Sequence, residues 1–152
     1  MLKIDHVVYP VWDAQKSITF YRDVLGFELL QCMSGPDWGG YPWLMMFFSP
    51  GDGREIVLVA LKGAKKPKPD MLAKDVRHLA FSETTTRAVA RWRKKLDAAK
   101  ITYWEESHGA QQSLYFEDPN GMILEITAPP TRAKGKTTKA ALAHAEKWIA
   151  RA

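Results

Sequence analysis

The sequence predicts an α+β fold built from two βαβββ modules and a C-terminal helical tail. Two stretches of the 152-residue chain match each other, and both show the same order of strand and helix patterns. The first stretch opens with IDHVVYPVWD and closes with GREIVLV, while the second opens with VRHLAFSET and closes with GMILEIT. The openings align with an offset of about 72 residues, and the closing glycines align with an offset of about 68.

The first module, residues 1–61, begins with a strand and a helix. Residues 1–10 alternate enough, with Ile4, His6 and Val8 on one face, to predict a strand. Asp13 is suited to cap the following helix, and Gly26 is suited to end it. The apolar face of this helix consists of Ile18, Tyr21 and Leu25.

Three more extended segments complete the first module. Residues 28–33 have the pattern of a strand, whereas residues 34–42 predict a loop because they are rich in glycine and proline. Residues 43–48 and 55–61 again have the composition of strands, and the turn sequence SPGDG joins them. The order of this module is therefore βαβββ.

The second module, residues 76–128, repeats this order after an exposed linker, residues 62–75, that contains two prolines and an excess of basic residues. A strand at 76–81 is followed by a helix whose inward face carries Val89, Trp92 and Leu96. The sequence EDPNG favours a hairpin turn. The three strands that complete the module are predicted at 101–105, 113–116 and 122–127.

Residues 129–152 predict a basic linker and a short C-terminal helix. The segment after Pro129 and Pro130 is polar and rich in lysine, and Thr138 is suited to cap a helix with one apolar stripe. We expect this helix to pack on its own domain or on a partner subunit rather than to anchor in a membrane. The stripe consists of Leu142, Ala145, Trp148 and Ile149.

The composition favours a soluble cytoplasmic protein. A hydrophobic fraction of 46% is enough for a packed interior. Cys32 is the only cysteine, so an intramolecular disulfide is excluded and a reducing compartment fits best. The N-terminus lacks the apolar stretch of a signal peptide, and no apolar run approaches the roughly 20 residues of a membrane span.

The formal net charge of +5 does not indicate a nucleic-acid partner. Residues 132–151 contain six basic residues and one acidic residue, which accounts for the whole excess. A neutral body with a basic tail is a poor electrostatic footprint for DNA or RNA. We therefore expect neither a nucleic-acid nor a membrane partner.

Three residues of the kind that bind metals lie at matching ends of the two modules. His6 and His78 lie on the first strand of each module, and Glu125 lies on the last strand of the second. Two imidazoles and one carboxylate leave coordination positions open, as a catalytic divalent metal requires. Glu125 follows Leu124 and precedes Ile126 in an apolar strand, where an unpaired carboxylate would be costly. The sequence therefore predicts a metal site.

The stretches IDHVVYPVWDAQKSITFYRDVLGFEL, RHLAFS and LYFEDPNGMILEI resemble the vicinal oxygen chelate superfamily. That superfamily includes glyoxalase I, extradiol dioxygenases, methylmalonyl-CoA epimerase and the fosfomycin and bleomycin resistance proteins. The resemblance implies that the sheets curl into a cup around a divalent metal held by His6, His78 and Glu125. It also implies a small-molecule substrate that chelates the metal through vicinal oxygens, and a homodimer that pairs sheet edges or exchanges modules.

The first module departs from the four-ligand site of many glyoxalases. Those enzymes use a fourth ligand, usually Glu, at the position that Val57 occupies here, and an aliphatic side chain cannot ligate. Glu55 lies two residues earlier on the same strand face and is the alternative ligand or base. An exposed glutamate at the start of a strand is the structural alternative for this residue.

The second module matches most of the extradiol dioxygenase signature, H-x5-L-Y-x2-D-P-x-G-x3-E. This resemblance implies Fe(II) held by two histidines and one carboxylate, Tyr115 bonded to a substrate oxygen, and His108 lining the pocket. Packing is the alternative for Tyr115, and an exposed loop is the alternative for His108. Glu106 departs from the signature, and residues 58–76 lack the expected acid–base histidine, for which Lys62 is a poor substitute.

Extradiol-type dioxygenation with Fe(II) is thus the sharpest interpretation, with two alternatives. The first is glyoxalase- or epimerase-like lyase or isomerase chemistry on Mn, Ni, Co or Zn. The second is a non-catalytic resistance or binding protein that sequesters an aromatic ligand. Fosfomycin-type thiol transferases are disfavoured because they carry Thr where this chain has Val8. The residues that could line an aromatic pocket, or simply pack, are Trp38, Tyr41, Trp43 and Trp104.

Overall fold

The computed structural model describes residues 4–130 and 138–150, and two four-stranded mixed sheets form the framework of the fold. Sheet 1 has the strand order β1-β4-β3-β2, and sheet 2 has the order β5-β8-β7-β6. In each sheet the first strand runs parallel to the last, and the other neighbours are antiparallel. The strands are β1 (His6–Val11), β2 (Glu28–Trp38), β3 (Tyr41–Ser49), β4 (Glu55–Leu61), β5 (His78–Ser82), β6 (Tyr103–His108), β7 (Gln111–Glu117) and β8 (Ile123–Ala128).

The helices begin and end at the residues that the sequence favours for this purpose. In α1 (Ala14–Ile18) the Asp13 carboxylate accepts the backbone N–H of Lys16 at 3.0 Å, and a π-helical segment, Thr19–Val24, extends the helix. Gly26 then turns the chain with a φ of +79°, a value that glycine adopts without strain. The remaining helices are α2 (Thr86–Ala98) and α3 (Thr138–Ile149), and a short 3₁₀ turn, Lys74–Val76, precedes β5.

The expected order of elements is confirmed, and one local prediction is wrong. Residues 34–42 do not form a loop, because β2 and β3 continue through them as a hairpin. Gly39 and Gly40 both have positive φ, as a two-residue hairpin turn requires. Pro36 is tolerated because β2 is an edge strand with an irregular register between Gly35 and Trp38.

Parts of the predicted termini lie outside the described residues. These are the start of the first strand (residues 1–3), most of the basic linker (131–137) and the capping side chain of Thr138. Residues 139–150 of α3 are exposed, so the structure does not show the helix packed on its own domain. Packing on a partner stays a prediction. Within the described part of the chain, no helix is long and apolar enough to cross a membrane.

A hydrophobic core joins one face of each sheet to the helices. Phe20 on the π-helical segment packs against Phe116 of sheet 2, with ring centroids 6.3 Å apart. The next residue, Tyr21, packs against Phe48 of sheet 1 at 5.6 Å. The core residues contributed by the two sheets include Met46, Phe48, Ile56 and Leu58 from sheet 1 and Leu114, Phe116, Leu124 and Ile126 from sheet 2.

The opposite faces of both sheets point away from this core, because side chains alternate along a strand. We call them the outer faces. The strand register places on the outer face of sheet 1 His6, Val8, Met33, Trp43, Met45, Phe47, Glu55 and Val57. On the outer face of sheet 2 it places His78, Trp104, Glu106, His108, Ser113, Tyr115, Glu125 and Thr127.

A buried polar network fastens the first helix to the turn between β7 and β8. The Asn120 side chain accepts the backbone N–H of Trp12 at 2.9 Å and donates to the Ser17 hydroxyl at 3.1 Å. The Tyr21 hydroxyl donates to the Asp118 carboxylate at 3.1 Å. Burial and, secondarily, the Asp118 charge raise the pKa of Tyr21, so this hydroxyl stays protonated. The network fixes one module relative to the other.

We expect Asn120→Ala to lower the free energy of unfolding by about 1–3 kcal/mol, because it leaves buried groups of the first module without their partner. Urea denaturation followed by circular dichroism measures this change. Glu117→Gln, on an exposed neighbour in the same connection, is the matched control and should change stability by less than about 0.5 kcal/mol. Equal effects of both substitutions would contradict this role of the network.

Candidate metal centre

The structure brings four of the six candidate site residues together on sheet 2. His78, Tyr115, Glu125 and His108 lie on its outer face, on strands β5, β7, β8 and β6. His6 and Glu55 lie side by side on the outer face of sheet 1, as direct partners in the parallel β1–β4 pair. The candidates therefore form two groups on two sheets.

His78 and Glu125 form the centre of the group on sheet 2. His78 Nε2 lies 3.1 Å from Glu125 Oε2, and Glu125 is buried with 7% of its surface exposed. His78 Nδ1 lies 2.6 Å from the Asp75 carbonyl oxygen, which orients the ring so that Nε2 faces Glu125. A backbone carbonyl on the other ring nitrogen is the usual support of a metal-binding histidine.

The separation within this pair fits a divalent metal. Adjacent ligands at about 2.1 Å from an ion and at right angles to each other lie about 3.0 Å apart, close to the distance between His78 Nε2 and Glu125 Oε2. An imidazole and a carboxylate are also the donor types that Fe(II), Mn(II) and Zn(II) accept. The sheet 2 pair therefore fits two of the three ligands expected from the sequence.

Tyr115 lies directly opposite Glu125 across the β7–β8 pair. Its ring meets the His78 ring edge to face, with centroids 5.7 Å apart. Burial and, secondarily, the neighbouring Glu125 carboxylate raise the pKa of Tyr115 to about 12. Near neutral pH this side chain therefore presents a phenol O–H beside the His78–Glu125 pair.

The outer face also contains two contacting residues that the sequence interpretation did not assign to this position or role. Trp104 stacks on Tyr115 with a centroid distance of 5.2 Å and an angle of 15° between the rings. The Trp104 indole N–H donates to Glu106 at 3.0 Å, and the other Glu106 oxygen lies 3.4 Å from His108 Nε2. His108 Nε2 in turn lies 3.4 Å from the Tyr115 hydroxyl. A continuous set of polar and aromatic contacts thus leads from Glu106 to the metal-type pair.

From the sequence alone, Glu106 is only a departure from the dioxygenase signature, and Trp104 is only a candidate pocket aromatic. Their alternation with His108 along β6 was visible in the sequence, since residues 104, 106 and 108 share one strand face. The predicted strand ended at residue 105, however, so this alternation was not extended to His108. Because β6 continues to His108, beyond the predicted end of the strand, the sequence did not predict that His108 shares a face with Trp104 and Glu106.

His6 is exposed and lies apart from the other two candidate ligands. Its Nδ1 lies 2.9 Å from the Asp5 carboxylate, which leaves Nε2 as the nitrogen for a metal. Among residues 4–130 and 138–150, however, no group of three or more His, Cys, Asp or Glu side chains is arranged to hold a metal ion. His6 therefore does not join His78 and Glu125 within one chain.

The position of the core explains this separation. Both sheets pack their inner faces into the same core, so the outer faces with His6 and with His78 point away from it. Each of these histidines is the first residue of a terminal strand of its sheet, β1 or β5. Both strands have an edge with no neighbour among the described strands, and such an edge is able to pair with another chain.

Three of the four aromatic candidates for the pocket lie on the outer face of sheet 1, which also carries His6, rather than on the outer face of sheet 2. Trp43 is on the outer face of sheet 1, and Trp38 meets it edge to face at 5.8 Å. Tyr41 is paired with Trp38 and belongs to the same face. Trp104, the fourth candidate, is the one on sheet 2.

Comparison with known proteins gives a consistent result. The sequence pattern of the glyoxalase/bleomycin resistance protein/dioxygenase superfamily matches residues 3–126. The chain is 27% identical over 123 residues to the glutathione transferase FosA of Serratia marcescens, with 81% of this chain and 78% of that protein aligned.

Two solved structures show the same fold with different activities. The trypanothione-dependent glyoxalase I of Leishmania major superimposes with a TM-score of 0.64 at 18% identity, covering 99% of this chain and 97% of that one. The oxidase ChaP-H2 superimposes with a TM-score of 0.60 at 23% identity, covering 88% of this chain and 98% of that one. At these identities the likeness shows the fold alone, so the reaction must be argued from the site.

We expect Tyr115 to remain mostly protonated near pH ~10.5 and to ionise at a lower pH in a Glu125→Gln variant than in the wild type, because the neighbouring negative charge is then lost. The ¹³Cζ resonance of labelled tyrosine, assigned through Tyr115→Phe, measures this ionisation. The raised pKa also means that the contribution of Tyr115 to stability is complete below pH ~10 and is lost as pH rises toward about 12. Ionisation of wild-type Tyr115 at the pKa of an ordinary exposed tyrosine would contradict a buried Tyr115 hydroxyl beside the Glu125 carboxylate.

Proposed function

The chain belongs to the glyoxalase/bleomycin resistance protein/dioxygenase superfamily, and from this premise we propose that it is a metal-dependent enzyme acting on a small substrate with vicinal oxygens. The observation that supports this most directly is the Glu125 carboxylate, which is buried in an apolar strand and faces His78 at 3.1 Å. Such a carboxylate is costly unless it is paired or bound to a cation. His78 pairs with this carboxylate in the structure, and a divalent metal bound by both side chains would satisfy it as well.

We propose that His6, His78 and Glu125 hold this metal, and that two copies of the chain form each site. One copy contributes His78 and Glu125, and the other contributes His6 from the free edge of its β1 strand. The arrangement follows from the shared core, which keeps the two outer faces of one chain apart. A homodimer meets this requirement with two equivalent sites. A twofold axis that places β1 of one copy beside β5 of the other forms both sites at once.

A bound divalent metal would polarise two vicinal oxygens of a substrate and stabilise negative charge on them. The residues around the metal position would have separate roles. Tyr115, protonated near neutral pH, donates a hydrogen bond toward the substrate oxygen. His108 lies within 3.4 Å of both the Tyr115 hydroxyl and the Glu106 carboxylate, and it is placed to accept or return a proton there. Trp104, stacked on Tyr115, covers one side of the phenol ring and limits the access of water.

Extradiol-type dioxygenation with Fe(II) is the reaction that this set supports best. Two histidines and one carboxylate are the donor set of non-haem Fe(II) oxygenases. Tyr115 and His108, the two signature residues expected to meet the substrate, lie next to each other and next to the His78–Glu125 pair. We assign proton transfer to His108 together with Glu106, because residues 58–76, where dioxygenases have their acid–base histidine, contain no histidine.

Lyase or isomerase chemistry on Mn, Ni, Co or Zn is the second candidate. It is favoured by Glu55, which is the direct strand partner of His6 and so provides a second carboxylate at that end of the site. Oxygen uptake with catechols on the iron-loaded protein separates the two candidates. A non-catalytic protein that sequesters an aromatic ligand is the third, and it would bind its ligand equally well without metal.

We also propose a reducing, cytoplasmic location. Cys32 is exposed on the edge strand β2, and an exposed free thiol is compatible with a compartment that keeps thiols reduced.

We expect His6→Ala and Glu125→Ala dimers to lose bound metal, and a mixed dimer of the two variants to recover one metal per dimer. In the mixed dimer the Glu125→Ala chain supplies His6 while the His6→Ala chain supplies His78 and Glu125. Differently tagged chains are refolded together and purified through both tags, and metal is measured by mass spectrometry. The dimer itself is checked by light scattering.

Each outcome of this experiment decides one point. A mixed dimer without metal would place all three ligands within one chain and contradict the shared site. Full metal content in either single variant would contradict the ligand assignment. His144→Ala, on the exposed tail helix, is the matched histidine control and should keep the metal content of the wild type.

A further inference from the structure

A cavity of about 410 Å³ opens at the opposite end of β1 from His6. Its inner side is lined by Val11, Ala60 and Leu44, which are neighbours in one row across β1, β4 and β3 and belong to the hydrophobic core or pack against it. At ~3.3 Å per residue, the five residues from His6 to Val11 separate this row from His6 by about 17 Å. None of the six candidate site residues lines the cavity, so it is separate from the candidate metal centre.

The cavity belongs to the first module and not to the fold in general. The offset of 68 residues that aligns Gly53 with Gly121 also aligns Ala60 with Ala128. Ala128 is completely buried, whereas Ala60 remains partly exposed beside the cavity. The other small residues that leave this space open are Ala14, Gly63 and Ala64.

Backbone hydrogen bonds hold the segments that surround the cavity. The Trp12 N–H donates to the Asn120 side chain at 2.9 Å, and the Lys62 N–H donates to the Pro42 carbonyl at 2.8 Å. The Ala64 N–H then donates to the Leu61 carbonyl at 3.1 Å, which closes the turn after β4. The cavity is therefore formed before any ligand enters, which lowers the entropic cost of binding.

Lys62 is the only charged side chain among the described residues that line the cavity, and no carboxylate lines it. The Lys62 ammonium group is exposed and forms no ion pair within residues 4–130 and 138–150. Lys65, Lys66 and Lys68 follow it closely along the chain and add positive charge on the same side. The opening of the cavity is thus positive, while its inner side is apolar.

We propose that this cavity binds a small apolar carboxylate, with its apolar body against Val11, Leu44 and Ala60 and its carboxylate at Lys62. The volume lies toward the small end of ligand pockets, which range from about 300 to 1,000 Å³. An apolar chain gains from leaving water on the inner side of the cavity. The surrounding apolar groups also strengthen the ion pair, because they exclude part of the water from it.

The first test is isothermal titration calorimetry with octanoate and two partial probes, 1-octanol without the charge and acetate without the apolar chain. We expect a single octanoate per chain, octanol bound about fivefold more weakly, and no binding of acetate at the same concentration. Lys62→Met removes the charge and keeps most of the aliphatic chain, so it should weaken octanoate about fivefold and leave octanol unchanged. Lys68→Met, on an exposed lysine of the same linker that does not line the cavity, is the matched control and should change neither affinity.

A second measurement locates the bound chain. 8-Bromooctanoate quenches tryptophan fluorescence on contact, and Trp12 lines the cavity. Trp12→Phe should therefore lower the fraction of fluorescence that is quenched, whereas Trp148→Phe, on the exposed tail helix, should not lower it. His6→Ala should keep the affinity for octanoate, because His6 lies at the other end of β1.

Four results would overturn the proposal. They are the absence of octanoate binding, several octanoates bound per chain, equal affinities for octanoate and octanol, and equal effects of Lys62→Met and Lys68→Met. Loss of octanoate binding in His6→Ala would also overturn it, because the carboxylate would then bind at the candidate metal centre and not in the cavity.

Discussion

The shared hydrophobic core is the constraint on which the rest of the structure depends. Both sheets direct their inner faces into it, and the π-helical segment contacts both of them through Phe20 and Tyr21. The polar contacts of Asp118 and Asn120 then fix the two modules relative to each other. Because each inner face is committed to this core, each outer face is available for chemistry, and the two outer faces of one chain cannot face each other. For this reason the site proposed above, which uses residues from both faces, takes them from two chains.

The second constraint is the electrostatic cost of Glu125. A buried carboxylate in an apolar strand needs a permanent partner, and His78 provides one that the Asp75 carbonyl keeps oriented. The same carboxylate raises the pKa of Tyr115, after the larger effect of burial, so the phenol stays protonated to a higher pH than an ordinary tyrosine. The buried carboxylate thus lies between an oriented imidazole and a phenol whose pKa it helps to raise. These are the conditions under which a metal ligand and a hydrogen-bond donor can act on the same substrate oxygen.

The sequence was sufficient for the order of elements, for physical reasons, whereas the candidate site residues stay a prediction. Alternation along strands and capping by Asp13 and Gly26 are local properties, so the βαβββ order could be predicted from them. The match between the two modules pointed to His6, His78 and Glu125. Residues 34–42 were misjudged because Gly39 and Gly40 permit a tight hairpin as readily as a loop, and only pairing with β3 decides between them. The separation of His6 from His78 could not be predicted either, since it depends on which faces the two modules bury against each other.

The two outer faces differ in chemistry, so substitutions on one face affect different properties from substitutions on the other. Sheet 2 carries the polar and ionisable residues, including Glu106, His108 and Tyr115, which contact one another at fixed distances. The outer face of sheet 1 carries His6 and Glu55 at one end and mainly apolar side chains elsewhere. A substitution on the apolar part of the outer face of sheet 1 leaves the hydrogen bonds on the outer face of sheet 2 in place. Because the two faces belong to separate sheets, reactivity and substrate size can vary independently, which gives a physical reason why one fold accommodates lyases, transferases and oxidases.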